Sequence, residues 1–514
     1  MPARMEFDFR SGRPAASRRR SEGSPLRLLL LGDFGNRGGQ GAGVAAELSR
    51  RALHRVDDDT LDETVRRIAP RLDVQIDGAG SAEVMEFASL DDFHPDALVD
   101  RATVFSRLRG LRARLLDPAR FDAAADELRR LGLAGIAHDA MPAEAGGRSA
   151  AAATDAETDA DTLQRLLGRA PTPVPTPTRT AAGGIDSLLR GIVAPHVVPG
   201  RTPQQAQYVA ALDAEMNAQL RRLLHAPQFQ ALESAWRGVQ FLVSRLELGE
   251  ELQLHLLDVT PGELHDDIAA AQGDPSRSAL CRLLCGAGTD APDAAPWSLL
   301  VCLFDVGSGA GDIDLLAGLG AVAAHAGAPF VAGAAPALFG CDGVDALADS
   351  DAWRPSSGDA QRWSDVRGSA AASWIGLVAP RLLLRLPYGQ GTDPIERFRF
   401  EERPDRAPAH DTLVWGSGAL AVALLVGEAF TDGGRDLAAG QAQDIADLPA
   451  LTFRHDGEAQ LQPCAEAWIG ERAGEALLAT GVMPLLSHRQ RAAVRLLRMQ
   501  SIAEPATMLA GSWV

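Results

Sequence analysis

A glycine-rich loop is the first part of the chain whose residues could carry chemistry. Residues 32–43, GDFGNRGGQGAG, follow a Leu-rich run at 26–31. Backbone amides of such loops can bind phosphate, but a Walker-type loop also needs a Lys followed by Ser or Thr. The chain contains no Lys, Gly43 is followed by Val44, and the DVQID segment downstream is a poor match to a dinucleotide-binding βαβ unit. A nucleotide-binding enzyme that uses residues 35–43 is therefore less favoured than a simple turn.

Two acidic segments and two serine segments offer other candidate sites. VDDDTLDE at 56–63 lacks the Gly and the closing Glu of a calcium loop, and its carboxylates suit a helix N-terminus. DDFHPD at 91–96 could ligate a metal, but the start of a helix at Pro95 explains the same residues. DVGSGAGD and WGSGAL contain Gly-Ser-Gly without a nucleophile elbow. The sequence therefore predicts no catalytic residue, no metal and no cofactor.

The cysteines are few and scattered, at positions 281, 285, 302, 341 and 464. An odd, scattered set is typical of a reducing compartment and not of a disulfide framework. Cys281 and Cys285 lie four residues apart on a predicted helix, so their thiols could share one face. Because no His or second Cys pair stands at zinc spacing nearby, we interpret both as small buried apolar residues.

Composition limits the classes of protein to which this chain can belong. The 514 residues are 46% hydrophobic and 23% charged, which is ordinary for a globular protein with two or more domains. The net charge of −18 argues against broad nucleic-acid binding. No stretch reaches the roughly 18 apolar residues that span a bilayer, and no signal core follows the N-terminal Arg residues. The sequence predicts a cytoplasmic protein without membrane insertion.

Composition shifts divide the chain into four parts. Residues 1–24 are a polar, Arg-rich tail, and residues 25–136 are a compact segment. Residues 137–184 form a linker whose PTPVPTPT run favours an extended polyproline conformation, with an amphipathic helix possible at Thr162–Arg169. Residues 185–514 form a larger globular segment. We expect two modules joined by a Pro/Thr-rich linker.

Periodicity and capping residues predict the elements within each module. The first has a strand at 26–31, a helix that Asp59 or Thr60 caps, and a helix that begins at Pro95. The second has helices from Pro203 and Pro227, followed by three strands, ELQLHLLDV, WSLLVCLFDV and PFVAGA, separated by partly helical stretches. This alternation predicts an α/β fold with layered domains.

Arg and aromatic residues are concentrated at 379–402, APRLLLRLPYGQGTDPIERFRFEE. We expect an apolar strand that carries Arg381 and Arg385, a tight Pro-Tyr-Gly turn, and an edge that alternates Phe398 and Phe400 with acids. The segment is either a buried strand with snorkelling Arg stems, or an interface where Arg and aromatic anchors meet acidic partners. Both interpretations remain open.

Ordered blocks along the chain carry a family resemblance. LLLGDFG, HRVDDDTLDETVRRIAPRLDV and FASLDDFHPDALV resemble the small subunit of the type VI secretion contractile sheath, the TssB, ImpB or VipA family. Further blocks resemble the large subunit of the sheath, the TssC, ImpC or VipB family. They are HAPQFQALESAWRGVQFLV, APWSLLVCLFDV, GAPFVAGAAPALFG, ASWIGLVAPRLLLRLPYG, FRFEE, LVWGSGALAVALL and GVMPLLSHR. The resemblance implies a phage-tail-sheath-like architecture of two modules.

The resemblance also implies a function. In this family the two subunits polymerise as a helical sheath around an inner tube, and contraction drives the tube outward. The implied partners are copies of this chain or other sheath subunits, the inner tube protein, the baseplate and an AAA+ unfoldase that recycles the sheath. Thr162–Arg169 could be recognised by that unfoldase. The implied protein is structural and not an enzyme.

The matching blocks contain the residues that we expect to form structural or interface motifs. We expect Trp236, Arg381, Arg385 and Tyr388 to help build the core or the subunit contacts of the larger module. The full set is Asp33, Phe34, Asp92, Phe93, His94, Pro95, Trp236, Arg237, Arg381, Arg385, Pro387, Tyr388, Gly389, Phe400, Glu401, Glu402 and Trp415.

The chain departs from the family in two ways. Both subunits occupy one polypeptide, which fixes their stoichiometry and raises their effective concentration. From the resemblance we also expect the large-subunit part to lack the C-terminal strands that lock neighbouring subunits into a shared sheet, and the small-subunit part to be shortened. An alternative role is therefore a non-polymerising sheath paralogue that caps, nucleates or regulates the sheath.

Overall fold

A computed structural model describes most of both predicted modules. The described residues are 24–39, 48–74, 83–131, 203–286, 296–403, 410–433, 443–455 and 458–511. The predicted linker at 137–184 with its helix at Thr162–Arg169, nearly all of the tail at 1–24 and the end of the glycine-rich loop lie outside these residues.

Twelve helices and fifteen strands form among the described residues. The helices are α1 (Leu61–Ile68), α2 (Pro95–Arg101), α3 (Thr103–Leu116), α4 (Phe121–Arg130), α5 (Pro203–Leu224), α6 (Pro227–Val243), α7 (Pro261–Ala271), α8 (Ala279–Gly286), α9 (Ala310–Ala326), α10 (Ser357–Arg367), α11 (Ala419–Gly433) and α12 (Glu471–Ala479). The strands are β1 (Leu26–Gly32), β2 (His54–Val56), β3 (Arg71–Val74), β4 (Glu83–Glu86), β5 (Leu252–Asp258), β6 (Leu299–Val306), β7 (Phe330–Ala334), β8 (Ile375–Ala379), β9 (Leu382–Leu383), β10 (Trp415–Gly416), β11 (Gln443–Ile445), β12 (Thr452–His455), β13 (Glu458–Leu461), β14 (Val482–Ser487) and β15 (Val494–Leu496).

One large sheet organises the described part of the chain. Its order is β11-β15-β14-β8-β7-β6-β1-β5-β2. The strands from β14 to β5 run parallel to one another, and β2 and β15 run antiparallel to them. The edge strand β11 pairs antiparallel with β15. Helices connect the parallel strands, as parallel pairing requires. The predicted α/β fold class is confirmed.

The central position of β1 follows from its sequence. Parallel strands that are covered on both faces need nearly continuous apolar residues, and β1 reads LRLLLLG. Leu28, Leu29, Leu30 and Leu31 are fully buried. The whole strand pairs with β5, and residues 28–31 also pair with β6. A strand from the first predicted module thus completes the sheet of the second.

By contact density the described residues form two compact units. One holds those up to Arg107 and those from Met216 onward, and it contains the nine-stranded sheet. The other holds those between Leu108 and Glu215. The predicted boundaries near residues 136 and 184 fall outside the described residues, so they stay predictions.

The second unit is helical. Residues of α3, α4 and α5 contact one another through charged and polar groups as well as through their buried faces. The Arg112 guanidinium binds Asp213 at 2.6 Å, and the Gln205 amide donates to the carbonyl of Leu115 at 2.7 Å. The rings of Phe121 and Tyr208 meet edge to face at 5.7 Å. These contacts hold the three helical stretches together.

Helix starts agree with the sequence prediction. Thr60 is the N-cap of α1, and α2 begins at Pro95. His94 caps α2, because its Nδ1 accepts a hydrogen bond from the backbone N–H of Asp96 at 3.3 Å. The residues of DDFHPD therefore serve helix initiation in this structure. Pro227 likewise occupies the first turn of α6.

The prediction for residues 379–402 was wrong in its secondary structure. The expected apolar strand is reduced to β9, and no strand forms at 398–402 within the described residues. The reason is that side chains, and not a neighbouring strand, bind the backbone there. Asn217 Nδ2 donates to the carbonyl of Arg399 at 3.3 Å, and Arg221 Nε donates to that of Glu401 at 2.9 Å.

The most apolar helix lies in the core. Residues 419–427 of α11 are all buried, which explains their uninterrupted apolar composition. Within the described ranges, none of the helices has the length and apolarity needed to cross a bilayer.

Candidate assembly site

The first charged cluster joins the loop after β1 to the start of α7. Arg37 Nε lies 2.8 Å from Asp258, which ends β5, and Arg37 also binds Glu263 at 2.7 Å. Arg51 binds the other oxygen of Glu263 at 2.8 Å. Two Arg residues of the first module therefore clamp two carboxylates of the second.

Glu263 has a further role in α7. Its carboxylate accepts from the backbone N–H of Thr260 at 2.9 Å, and the Thr260 hydroxyl accepts from the N–H of Glu263, which is a capping box. Burial would raise the pKa of Glu263, but hydrogen bonds from Arg51 and Arg37 outweigh burial and lower the pKa to about 2. Glu263 is thus ionised whenever the cluster is intact at neutral pH.

The amides of the glycine-rich loop are bound to carboxylates of the protein. The N–H of Arg37 and the N–H of Gly38 donate to Asp33 at 2.7 and 2.9 Å. The N–H of Gly35 donates to Asp258 at 2.9 Å. A phosphate group would need these same donors and would face two acids. The described part of the loop is therefore a self-capped turn, as the sequence analysis favours.

An aromatic contact with α6 also holds the turn after β1. Phe34 and Trp236 are both fully buried, with ring centroids 5.4 Å apart. The Trp236 indole N–H donates to the carbonyl of Phe34 at 3.0 Å. Because a buried indole needs a hydrogen-bond partner, this bond ties α6 to the turn after β1.

The second charged cluster is buried between α6 and the segment that follows β9. Arg385 lies between two carboxylates, with Nε 2.6 Å from Glu233 and a terminal nitrogen 2.8 Å from Glu402. Both carboxylate side chains are fully buried, and that of Arg385 is 7% exposed. Arg237, 3.2 Å from Glu233, supplies a second positive charge.

Tyr388 closes this cluster. Its backbone N–H donates to Glu402 at 2.8 Å, and the Arg385 guanidinium lies 4.4 Å from its ring centroid. Its hydroxyl accepts from Arg237 at 2.9 Å. Burial, together with the charge of Glu233, raises the pKa of Tyr388 to about 12. Burial would raise the pKa of Glu402, but the charge of Arg385 keeps it below its ordinary value.

The first module reaches this cluster through α2. The His94 ring packs edge to face on Tyr388 at 5.1 Å. The Asp96 carboxylate accepts from the backbone N–H groups of Glu396 and Arg397 at 3.0 and 3.2 Å. Arg397 also pairs with an acid of α2, Asp100. This contact and the Arg37 cluster bind the two modules at separate places.

A cavity of about 570 Å³ opens where β1 and β6 end. After β1 the chain continues to β2 on the β5 side, whereas after β6 it continues to β7 on the opposite side. The end of β1 and β6 is therefore the topological switch point, where doubly wound sheets bind ligands. Asp33, Asp305, Arg381 and His410 line it. Burial raises the pKa of Asp305 to about 6, although the charge of Arg381, 3.9 Å away, opposes the rise.

Glu466 holds the two basic side chains of this cavity. It lies 2.8 Å from Arg381 Nε and 2.6 Å from His410 Nε2. Burial would raise the pKa of Glu466, but hydrogen bonds from Arg381 and His410 lower it to about 2. The His410 ring stacks on Trp415 at 5.7 Å. Arg381 and His410 therefore already have a carboxylate partner within the protein.

Two family models match two separate parts of the chain. Residues 206–503, more than half of the chain, match the family model VipB, described as "EvpB/VC_A0108, tail sheath N-terminal domain". Residues 15–130 match the model "Type VI secretion system, VipA, VC_A0107 or Hcp2". The chain belongs to the type VI secretion tail-sheath family. It is a fused sheath protein, with a small-subunit (TssB) part followed by a large-subunit (TssC) part.

A relative from Pseudomonas aeruginosa, the "Type VI secretion system sheath protein TssC1", is 31% identical over 305 residues. The match covers 58% of this chain and 61% of the relative, so the chain spans about three fifths of that protein's length. In the terms of the family, β1 and its loop belong to the VipA-matching part, while β5, β6 and α7 belong to the VipB-matching part.

The residues expected from the sheath resemblance lie mostly in the core. None of the set is exposed, and Asp33, Asp92, His94, Arg237, Arg381 and Glu401 are half-buried. The buried members are Phe34, Phe93, Pro95, Trp236, Arg385, Pro387, Tyr388, Gly389, Phe400, Glu402 and Trp415. Their contacts described above are internal to this chain, and a role between copies stays a proposal.

Sequence reasoning missed the acidic partners. Glu233, Asp258 and Glu466 had no local pattern that separates them from surface acids. Glu263 did have one, because Thr260-Pro-Gly-Glu263 is a capping-box sequence before an apolar run.

Proposed function

We propose that this chain is a structural component of a contractile type VI secretion sheath, in which one polypeptide supplies the small-subunit and large-subunit parts. Family membership supports the role. The observation that carries the fused arrangement is β1, a strand of the VipA-matching part that pairs on both edges with strands of the VipB-matching part.

The shared sheet makes the fusion physically reasonable. β1 lies between β5 and β6 and supplies five fully buried Leu side chains, so the large-subunit part alone would lack the strand that joins them. A covalent connection presents that strand at an effective concentration of order millimolar or more. Each chain would therefore fold as a complete small–large unit.

The assembled unit would bind copies of itself or other sheath subunits. We further propose cytoplasmic assembly around an inner tube protein on a baseplate, with an AAA+ unfoldase as the recycling partner. The role is mechanical and not enzymatic. In support, the loop amides that a nucleotide would need already bind Asp33 and Asp258.

Electron microscopy of the purified chain, alone and after co-expression with a complete sheath pair from the same cell, tests this function. We expect helical tubes that contain the chain in at least one of the two samples. Monodisperse particles in both samples would contradict the sheath role and support the non-polymerising paralogue.

A further inference from the structure

Three side chains with metal-binding atoms meet where α8 packs against α9, away from the assembly site. Cys281 and Cys285 lie one helical turn apart on α8, and His325 lies in the last turn of α9. Their sulfur and imidazole nitrogen atoms all lie within 4.8 Å of one another. Two thiols and an imidazole form the donor set that zinc prefers.

We propose that Cys281, Cys285 and His325 bind one Zn²⁺ ion, with solvent as the fourth ligand. In a tetrahedral site with Zn–S near 2.3 Å, neighbouring ligand atoms lie roughly 3.6–3.8 Å apart. The three ligand atoms already lie within 4.8 Å of one another, so each pair must approach by roughly 1 Å at most to reach this geometry. Cys281 is buried, Cys285 is half-buried and His325 is exposed, so the ion reaches the thiols from the solvent side.

The helix that carries both thiols is held firmly. The Asp267 carboxylate of α7 accepts from the backbone N–H groups of Ala279 and Leu280 at 2.6 and 3.1 Å, at the first turn of α8. It also accepts from the Ser278 hydroxyl at 2.6 Å. On the other side, Gly327 ends α9 in a left-handed conformation with φ of 70°, directly after the His325 turn. The ligands therefore sit on two anchored helices.

The sequence alone pointed away from this site. Its interpretation of the two Cys as small buried residues depended on the absence of a nearby His. The fold brings His325 to the pair from a separate helix, 40 positions beyond Cys285. Zinc would link α8 to α9 and stabilise this helical layer against the sheet.

Zinc titration of the full-length chain tests the proposal. The reduced, chelator-treated protein is titrated with Zn²⁺ against a chromogenic chelator, and Co²⁺ is added to a second sample for absorption spectroscopy. We expect one equivalent of tight Zn²⁺ and a thiolate-to-cobalt charge-transfer band. C285S and H325A should each weaken Zn²⁺ binding by more than about ten-fold.

C464S is the matched control, because its buried thiol donates to the carbonyl of Pro449, a bond that a hydroxyl also makes. It should bind zinc as the parent does. Circular dichroism of the metal-free variants checks that each is folded. If C285S does not fold, H325A still tests the site, because His325 is an exposed side chain. The proposal is overturned if the parent fails to bind one equivalent, or if folded C285S or H325A binds zinc as tightly as C464S.

Discussion

Replacing Arg385 by Met removes the single charge that lies between Glu233 and Glu402. Both carboxylate side chains are fully buried. Arg237 remains 3.2 Å from Glu233, but Glu402 keeps no Arg partner among the described ion pairs. Breaking a buried pair from one side costs about 3–5 kcal/mol, because the remaining charge is desolvated and uncompensated. We expect R385M to lose that much free energy of unfolding at pH 7.

The loss should depend on pH in a defined direction. The pKa of Glu402 is lowered in the folded protein, so its contribution is present above the unfolded value near 4.5 and declines as pH falls below it. In R385M the Glu402 carboxylate keeps the Tyr388 backbone N–H at 2.8 Å and His225 Nε2 at 3.4 Å but no Arg, and it can instead be protonated. The difference in unfolding free energy between the parent and R385M should therefore shrink as pH falls through about 4.5.

Denaturant unfolding followed by circular dichroism at pH 7 and at pH 4 measures both effects. R397M is the matched control, because Arg397 pairs with Asp100 in an ion pair whose side chains are 51% and 32% exposed. Such pairs contribute about 0–1 kcal/mol. A second variant that adds Glu402→Gln to R385M should recover part of the loss. If R385M is no less stable than R397M, the buried network does not hold this part of the fold.

Three further predictions concern the junction between the two parts of the chain. Leu29→Asp places a charge in a fully buried strand and should cost more than about 4 kcal/mol, seen as loss of soluble protein, whereas soluble, fully folded L29D would refute the central role of β1. E263Q should reduce the free energy of unfolding by about 2 kcal/mol at pH 7. Because Glu263 has a folded pKa of about 2, the difference between E263Q and the parent should vanish as the pH falls from about 4.5 to 2. A difference that stays constant in melts across this pH range would contradict the role of Arg37 and Arg51 as partners of Glu263. A protease site inserted at 171–178 should yield two fragments that co-elute in size-exclusion chromatography and separate only in denaturant, and separation in buffer would show that the shared sheet does not hold them.

Local patterns predicted what depends on local physics. The Leu-rich run gave β1, Thr60 and Pro95 marked helix starts, and Pro227 opened α6, since caps and prolines act within one turn. The pairing partners of β1 could not be predicted from local patterns. Its partner β5 begins 226 positions later, at Leu252, and periodicity contains no information about such pairing.

The candidate site shows the same limit. The sequence drew attention to Arg385 and Tyr388, but it left open whether their partners lie in this chain. Glu402 was among the residues expected from the sequence and Glu233 was not. The pairing of Arg385 with both became evident only when α6 and the irregular segment after β9 were seen together. That segment failed as a predicted strand because side chains of α5 satisfy its carbonyls, and a tertiary contact of that kind overrides β-propensity.

The placement of β1 has a mechanical consequence. A strand with parallel neighbours on both edges transmits a pull along its axis to many backbone hydrogen bonds at once, so they must fail together and not one after another. Force applied to the VipA-matching part would therefore enter the VipB-matching part through the strand they share. In the proposed contractile sheath, the covalent linker need not carry that tension.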